Sequence, residues 1–420
     1  MQSILVNPGN LEGLVRVPLS KSLLHRALIC ASLAGDLSLA DLGGESLSDD
    51  IFATKGCVHS VIAARLDQQH GITLSGNDPV FFDCRESGST LRFLVPLVAA
   101  LGIPARIVGS GRLPLRPLGE YTGIFDGKGV RMEFPGPDRI LPLKVTGQLN
   151  PGIFKVPGNI SSQYISGLLM ALPLLAGDSE IELTTPLESE PYVEMTRDVM
   201  RAFGVEADKL PRGYHISGGQ AYKRTEPYHA EPDFSQAAFW LVAEYLGHKV
   251  TVTDLPLHSS QGDREILTLL EKLKKAASTY AAVEIDVSQF PDLVPILAVA
   301  AAATGCVTKI TNAGRLRLKE CDRLKATCDM MTGLGAEIAQ TRDGLVISGR
   351  SFFPGIPLFK ACEVDSFHDH RMVMAAAIAA TRADGPVSIS DYRAVDKSYP
   401  DFFRNFRMAG GLAHELDVGE

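Results

Sequence analysis

The chain has 420 residues, 45% of them apolar and 21% charged, a composition typical of a water-soluble globular protein with room for two or three domains. Its 49 carboxylates outnumber its 41 Lys and Arg, and the net charge of −8 argues against general affinity for nucleic acid or anionic membrane. No run of eighteen apolar residues suggests a membrane span. Seven cysteines without a CxxC pair read as reduced thiols of a cytoplasmic protein, not as a disulfide scaffold or zinc site.

Met1 to Val6 reads as a strand, not a targeting peptide. Lys21-Ser22-Leu23-Leu24-His25-Arg26 then opens a helix with a cation and a hydroxyl, and Ser22 is a candidate cap. Glu86-Ser87-Gly88-Ser89-Thr90-Leu91-Arg92 is a small-residue turn that begins another helix and offers backbone N–H groups to an anion. In Gly111-Arg112-Leu113-Pro114-Leu115-Arg116-Pro117, two prolines stiffen a loop carrying two arginines, which suits a carboxylate or phosphate; a merely exposed loop fits equally well. Ser161, Ser162 and Gln163 open a strongly periodic helix and form a neutral phosphate seat at its positive end. Ser189-Glu190-Pro191-Tyr192 is a further helix start, with Tyr192 as a core or rim aromatic.

Asp292, in Phe290-Pro291-Asp292, precedes an apolar helix and reads by itself as a cap. Leu318-Lys319-Glu320-Cys321-Asp322-Arg323-Leu324 packs two cations and two carboxylates into the entrance of the next helix. His368-Asp369-His370-Arg371 opens an Ala-rich helix, and its His-x-His pattern has no companion ligands of metal spacing, so no metal is expected. Lys397 precedes the last helix. Each of these taken alone is a cap or a solvated charge. Together, Lys21, Arg26, Arg116, Lys319, Arg323, Arg371 and Lys397 mostly stand at helix entrances against the macrodipole preference, which points to the gathering of substrate anions.

One phrase recurs: a helix ending in Gly followed by a β-rich segment. It occurs at Gly127 to Met132, at Phe203-Gly204-Val205, at Leu334-Gly335-Ala336 and at Gly410-Gly411-Leu412, with degraded copies near Ala64 to Leu66 and Leu273 to Ala276. A spacing of roughly 60–75 residues suits a repeated unit of several strands and two helices, six copies in all, three per domain.

The motifs Lys-Ser-x-x-x-Arg, Ser-Gly-Ser, Arg-Pro-Leu-Gly, Ser-Ser-Gln, Lys-Glu-x-Asp-Arg, Asp-His-Arg-Met and Asp-Lys-x-x-Pro-Asp follow one another from residue 21 to about residue 403. In that order the chain resembles the 5-enolpyruvylshikimate-3-phosphate synthase family of enolpyruvyl transferases. The resemblance implies an α/β (α+β) fold, a two-domain inside-out α/β barrel in which each domain holds three βαβαββ units. It places the first domain at 15–229 and the second at 1–14 and 230–420, closing on substrates in the interdomain cleft. The implied reaction moves the enolpyruvyl group of phosphoenolpyruvate to the 5-hydroxyl of shikimate 3-phosphate, releasing phosphate through a tetrahedral intermediate, without cofactor and as a monomer.

By the same resemblance, Glu320 transfers protons at the methylene carbon, Asp292 deprotonates the hydroxyl, and Lys21 serves the leaving phosphate. Arg116, Arg323, Arg371, Lys397, Gln163 and the Gly88 backbone would bind phosphoenolpyruvate. Ser161, Ser162, Ser189 and Lys319 would hold the shikimate phosphate, Ser22 and Arg26 its carboxylate, and Tyr192 would line the ring. Glu86, Ser87 and Arg315 depart from the residues common in the family. The related transferase acting on UDP-N-acetylglucosamine carries a reactive Cys on a loop corresponding to residues 105–120, where this chain has none. RNA 3′-phosphate cyclases share the architecture, but their nucleophilic His and basic face have no counterpart among these motifs. A non-catalytic phospho-ligand binder would not need Asp292 together with Glu320.

Overall fold

The computed structural model describes residues 2–44, 46–136 and 140–416. In chain order, β1 (Ser3–Asn7) and β2 (Glu12–Val15) are followed by α1 (Lys21–Ala34), β3 (Ala40–Asp41), α2 (Asp49–Gln69), β4 (Val80–Asp83), α3 (Gly88–Ala100) and β5 (Ala105–Val108). Next come α4 (Glu120–Ile124), β6 (Val130–Glu133), β7 (Leu143–Gly147), β8 (Ile153–Val156), α5 (Ser162–Ala171), β9 (Ser179–Leu183) and α6 (Glu190–Ala202). The strands β10 (Asp208–Leu210), β11 (Gly213–Ile216) and β12 (Tyr228–His229) lead to α7 (Phe234–Tyr245), β13 (Lys249–Val252), α8 (Ile266–Thr279), β14 (Val283–Asp286) and α9 (Val294–Ala302). The chain ends with β15 (Val307–Thr311), α10 (Arg323–Gly333), β16 (Glu337–Gln340), β17 (Leu345–Ser348), β18 (Cys362–Val364), α11 (His370–Ala380), β19 (Val387–Ser390), α12 (Phe402–Met408) and β20 (Leu412–Leu416). Met1, which the sequence places in the opening strand, lies outside the described residues.

Two compact units emerge, a first of Leu19–Glu231 and a second of Met1–Pro18 with Pro232–Glu420. These limits differ by a few residues from the expected 14/15 and 229/230, for a local reason. Strand β2 pairs in parallel with β13 through Val15↔Val252, so residue 15 is held in the second unit. Tyr228 and His229 pair with Ala40 and Asp41, within the first.

Four sheets share one topology. A parallel pair is joined by a buried helix (β4-α3-β5, β8-α5-β9, β14-α9-β15, β18-α11-β19), and a second helix leads to two antiparallel strands, giving the spatial order first-second-fourth-third. In the last copy the fourth strand is β1, antiparallel to both β19 and β20, so the start of the chain completes the repeat at its end. The two remaining copies keep two parallel strands each, β3 with β12 and β2 with β13, and among the described residues lack the antiparallel pair. The degraded phrases at 64–66 and 273–276 fall in α2 and α8, the helices of these reduced copies.

Beyond their opening turns the connecting helices are mostly apolar and lie inside their unit, whereas one face of each sheet is polar. Every residue of α9 and of α11 is buried, and their Ala runs let α7, α9 and α11 approach one another closely. Among the described residues no helix is long and apolar enough to cross a membrane. The recurring helix-end glycines turn the chain through left-handed backbone, with φ of +76° at Gly204 and +77° at Gly335. A Cβ at Gly204 would meet only the Lys223 carbonyl, at 3.6 Å, so Gly204→Ala carries the conformational cost without a clash. That cost is about 1–2 kcal/mol, which lowers the midpoint of thermal unfolding by several degrees in scanning calorimetry.

Candidate active site

Most of the predicted residues stand in or beside the first turns of helices α1, α3, α5, α6, α9, α10 and α11, while Arg116 follows and Lys397 ends a 3₁₀ turn. In the second unit the centre is Arg323, the first residue of α10, whose side chain is only 2% exposed. Its Nε donates to Asp369 Oδ2 at 2.6 Å, its Nη1 to Asp292 Oδ1 at 2.8 Å, and its Nη2 lies 2.6 Å from Glu320 Oε2. Asp292 also meets Lys319 Nζ at 3.3 Å and Arg371 Nη2 at 3.2 Å, and its carbonyl accepts from Arg371 Nη1. Burial by itself would raise the Asp292 carboxyl, but Arg371, Lys319 and Arg323 outweigh it and hold the group well below the usual carboxylate range. Burial pushes Lys319 down, against the pull of Asp292, while the carboxylates around Arg323 overcome its burial and fix its charge.

Asp292 is therefore not the helix cap that its position suggests; a 3₁₀ turn, Pro291–Leu293, precedes α9 and presents the carboxylate to three cations. Asp322 is a cap: it accepts from Lys325 N at 3.0 Å and binds Arg317 Nη1 at 2.8 Å. Lys397 donates to the His368 carbonyl at 2.8 Å, and the two histidines of His-x-His part, His368 pairing with Asp391 while His370 is buried.

In the first unit Lys21 begins α1 and pairs with Asp50 at 2.7 Å. The N-cap of α1 is Ser20, so Ser22 lies inside the first turn and is not the cap. Arg26 is buried, directing Nε to Thr196 Oγ1 (2.7 Å), Nη1 to the Ser22 carbonyl (2.6 Å) and Nη2 to the Tyr192 carbonyl (2.8 Å); burial lowers it to about 10. Ser161 caps α5 through Gln163 N, and Ser162 is its first residue. Gln163 donates from Nε2 to Ser89 Oγ at 2.8 Å and accepts from Arg92 Nη1 at 2.9 Å. A Cβ built on Gly88 would fall 2.5–3.0 Å from the Arg116 guanidinium, which therefore lies against the Gly88 backbone. Ser189 is buried with φ of +53°, a costly conformation for a non-glycine residue, at the start of α6, and Tyr192 stands half-buried in its first turn.

Two organising residues escaped the sequence reading. Asp369, fully buried, caps α11 through Arg371 N at 2.9 Å while gripping Arg323; its signal was the Asp directly before a helix-opening His-Arg pair. Arg92, buried below the Ser-Gly-Ser turn, holds Gln163 and the Pro117 carbonyl that follows Arg116, and its signal was an Arg inside an otherwise apolar helix.

The family model for EPSP synthase (3-phosphoshikimate 1-carboxyvinyltransferase) matches residues 5–406. The chain belongs to the EPSP synthase family. It is 43% identical to a 3-phosphoshikimate 1-carboxyvinyltransferase of Clostridium acetobutylicum and 40% identical to that of Clostridium beijerinckii, each match covering 100% of both chains. In fold it is similar to EPSP synthase from Acinetobacter baumannii, with a TM-score of 0.74 at 21% identity over 99% of this chain and 100% of that one. It is also similar to the enolpyruvyl transferase NikO from Streptomyces tendae, with a TM-score of 0.69 at 17% identity over 99% of each chain.

A second buried carboxyl of the EPSP synthase unit that holds Asp292 gives a pH test. Asp263 accepts from Ser235 and is raised to about 6, by burial first and by Asp292 and Asp233, against the pull of Arg371. Its folded value lies above its unfolded one, so the unfolded chain releases this proton first. Stability from this group therefore falls as pH rises from about 4 to 6 and is level above. Asp263→Asn removes the loss, and urea unfolding at pH 4, 5 and 6 should show the variant gaining on the parent as pH rises.

Proposed function

We propose that this chain catalyses the transfer of the 1-carboxyvinyl group of phosphoenolpyruvate to the 5-hydroxyl of shikimate 3-phosphate, and that residues of both units act on this one pair of substrates. The observation that carries the reading is the pairing of two carboxylates, Asp292 and Glu320, on the single guanidinium of Arg323. Anion binding alone calls for cations; an addition followed by an elimination also calls for groups that move protons.

In the addition, Asp292 accepts the hydroxyl proton as the oxygen bonds to the central carbon of phosphoenolpyruvate, while Glu320, which takes up a proton from water as the substrate anions bind beside it, delivers that proton to the methylene carbon. In the elimination, Glu320 takes a proton back from the methyl group, the bond to the phosphate oxygen breaks, and Lys21 supplies the departing phosphate with a proton. Arg116, Arg371, Lys397, Gln163 and the Gly88 N–H take phosphoenolpyruvate, with Arg323 turning one N–H from a carboxylate to the substrate. Ser161, Ser162, Ser189 and Lys319 hold the phosphate of shikimate 3-phosphate, Ser22 and Arg26 its carboxylate, and Tyr192 its ring. The protein acts as a monomer in the cytoplasm.

Purified protein given both substrates should release phosphate and form the enol ether, detected by phosphate assay and mass spectrometry; release that needs no shikimate 3-phosphate would refute the proposal. Glu320→Gln should lower kcat by at least about a hundredfold, the usual scale for a general acid–base, with both substrates still binding by calorimetry. Gly88→Ala forces the Arg116 guanidinium aside, and steady-state kinetics should show KM for phosphoenolpyruvate raised about tenfold or more, the scale of one weakened charged hydrogen bond.

A further inference from the structure

Behind the Ser87-Gly88-Ser89 turn, inside the first unit, runs a line of four buried side chains. His25 Nδ1 lies 2.6 Å from Thr54 Oγ1, Thr54 Oγ1 lies 2.6 Å from Thr90 Oγ1, and Thr90 Oγ1 donates to Ser87 Oγ at 2.7 Å. Ser87 Oγ also accepts from Thr90 N at 3.2 Å, capping α3. All four residues are at most 2% exposed. The line joins the opening turns of α1 and α3 to the start of α2, where Asp50 holds Lys21. The His25 ring stands edge-on to Phe93, and among the described residues its Nε2 has no hydrogen-bond partner.

Burial first, and then Lys21 and Arg26, keep this imidazole neutral, so it carries one proton for two nitrogens. A proton on Nε2 would be an orphaned buried donor next to two cations. On Nδ1 it donates to Thr54, whose hydroxyl has two acceptors in reach, the Asp50 carbonyl at 3.3 Å and Thr90 Oγ1 at 2.6 Å; the shorter contact takes its proton onward, in the same direction as the bond from Thr90 to Ser87. Oriented in this way, Ser87 Oγ receives two donors, and the backbone of the turn is fixed from behind. Neighbouring hydroxyls that donate in one direction polarise one another, which stiffens the line beyond its separate bonds.

We propose that His25 is a positioning residue for the transfer reaction, acting through Thr54, Thr90 and Ser87 to hold the Gly88–Ser89 backbone in place for phosphoenolpyruvate. This rests on the reading of that turn as part of the phosphoenolpyruvate site. His25 touches no substrate in this scheme, and its effect is specific to one of the two.

The test compares His25→Leu, His25→Asn, Thr54→Val and the double variant His25→Leu/Thr54→Val by steady-state kinetics. Loss of the line should raise KM for phosphoenolpyruvate about tenfold in His25→Leu and in Thr54→Val, with KM for shikimate 3-phosphate within about twofold of the parent. The double variant should be no worse than the poorer single one, because one line is cut twice. His25→Asn, whose amide Nδ2 can donate from near the position of Nδ1, should recover most of the loss. Equal rises in both KM values, full additivity, or no recovery with Asn would reduce His25 to a structural residue and overturn the proposal. Where His25→Leu fails to fold, the near-isosteric Thr54→Val decides alone, and an unchanged KM for phosphoenolpyruvate overturns it. Gly88→Ala separates the two layers. An unchanged KM for phosphoenolpyruvate there removes the assignment of the turn and the proposal with it, whereas a raised KM with no effect of Thr54→Val removes the His25 line alone.

Discussion

The guanidinium of Arg323 is the constraint on which the second unit's cluster depends. A buried cation is costly unless its N–H groups all find acceptors, and removing one partner of such a pair leaves an uncompensated charge worth several kcal/mol. Arg323 meets three carboxylates in three directions: Asp369 beneath it, and Asp292 and Glu320 beside it. The planar fork fixes where those two carboxylates stand, which a flexible ammonium could not do. Asp369 closes the arrangement from below. It also caps α11, so the start of the helix bearing Arg371 and the start of the helix bearing Arg323 are locked to one carboxylate.

The puzzle of cations at helix entrances is resolved by the same residues. Lys or Arg in the first turn opposes the macrodipole, but Asp322 and Asp369 immediately precede Arg323 and His370-Arg371 as caps and supply the negative charge that each helix start favours. The first unit solves the related problem differently. There the helix starts are lined by hydroxyls, an amide and bare backbone, with Lys21, Arg26 and Arg116 as the cations and Arg92 as the hidden anchor. One repeated fold thus builds a mutually ion-paired cluster in one unit and, in the other, cations set among hydroxyls, an amide and backbone groups.

The repeat was legible because its mark is local: a helix must be ended by a left-handed residue before the chain turns into a strand, and Gly204 and Gly335 show this in the sequence. Its two weak copies were weak for a structural reason, since among the described residues they lack the antiparallel strands that the glycine leads into. The cations at the helix starts were legible by their charge and position. What they touch was not. Asp292 and Asp322 look alike as acidic residues before helices, yet one faces three cations and the other caps, a difference set by a 3₁₀ turn and by packing from α10 and α11. Arg26 read as an open cation and is instead bonded to Thr196 and the Tyr192 carbonyl, partners some 170 residues away that no local pattern exposes. Asp369 and Arg92 were hidden for the same reason, because their roles are defined only by distant partners.

The charge balance of the ionic cluster bears on how a base is made available. Three cations, Lys319, Arg323 and Arg371, face three carboxylates, Asp292, Glu320 and Asp369, so the set is formally neutral. Asp292 is bonded to all three cations, and a carboxylate so stabilised is a poor acceptor of protons. Substrates carrying phosphate and carboxylate groups compete for the same N–H donors. In the proposed reaction Lys319 and Arg371 turn to them, so that Asp292 would lose cationic partners and gain neighbouring negative charge, and both changes would raise its basicity. Asp369, fully buried and bonded to Arg323, is not exposed to that competition and keeps the frame in place. Under the proposed roles, binding of the anions and arming of the base would be one electrostatic event, which requires the carboxylate to share its cations with the ligand.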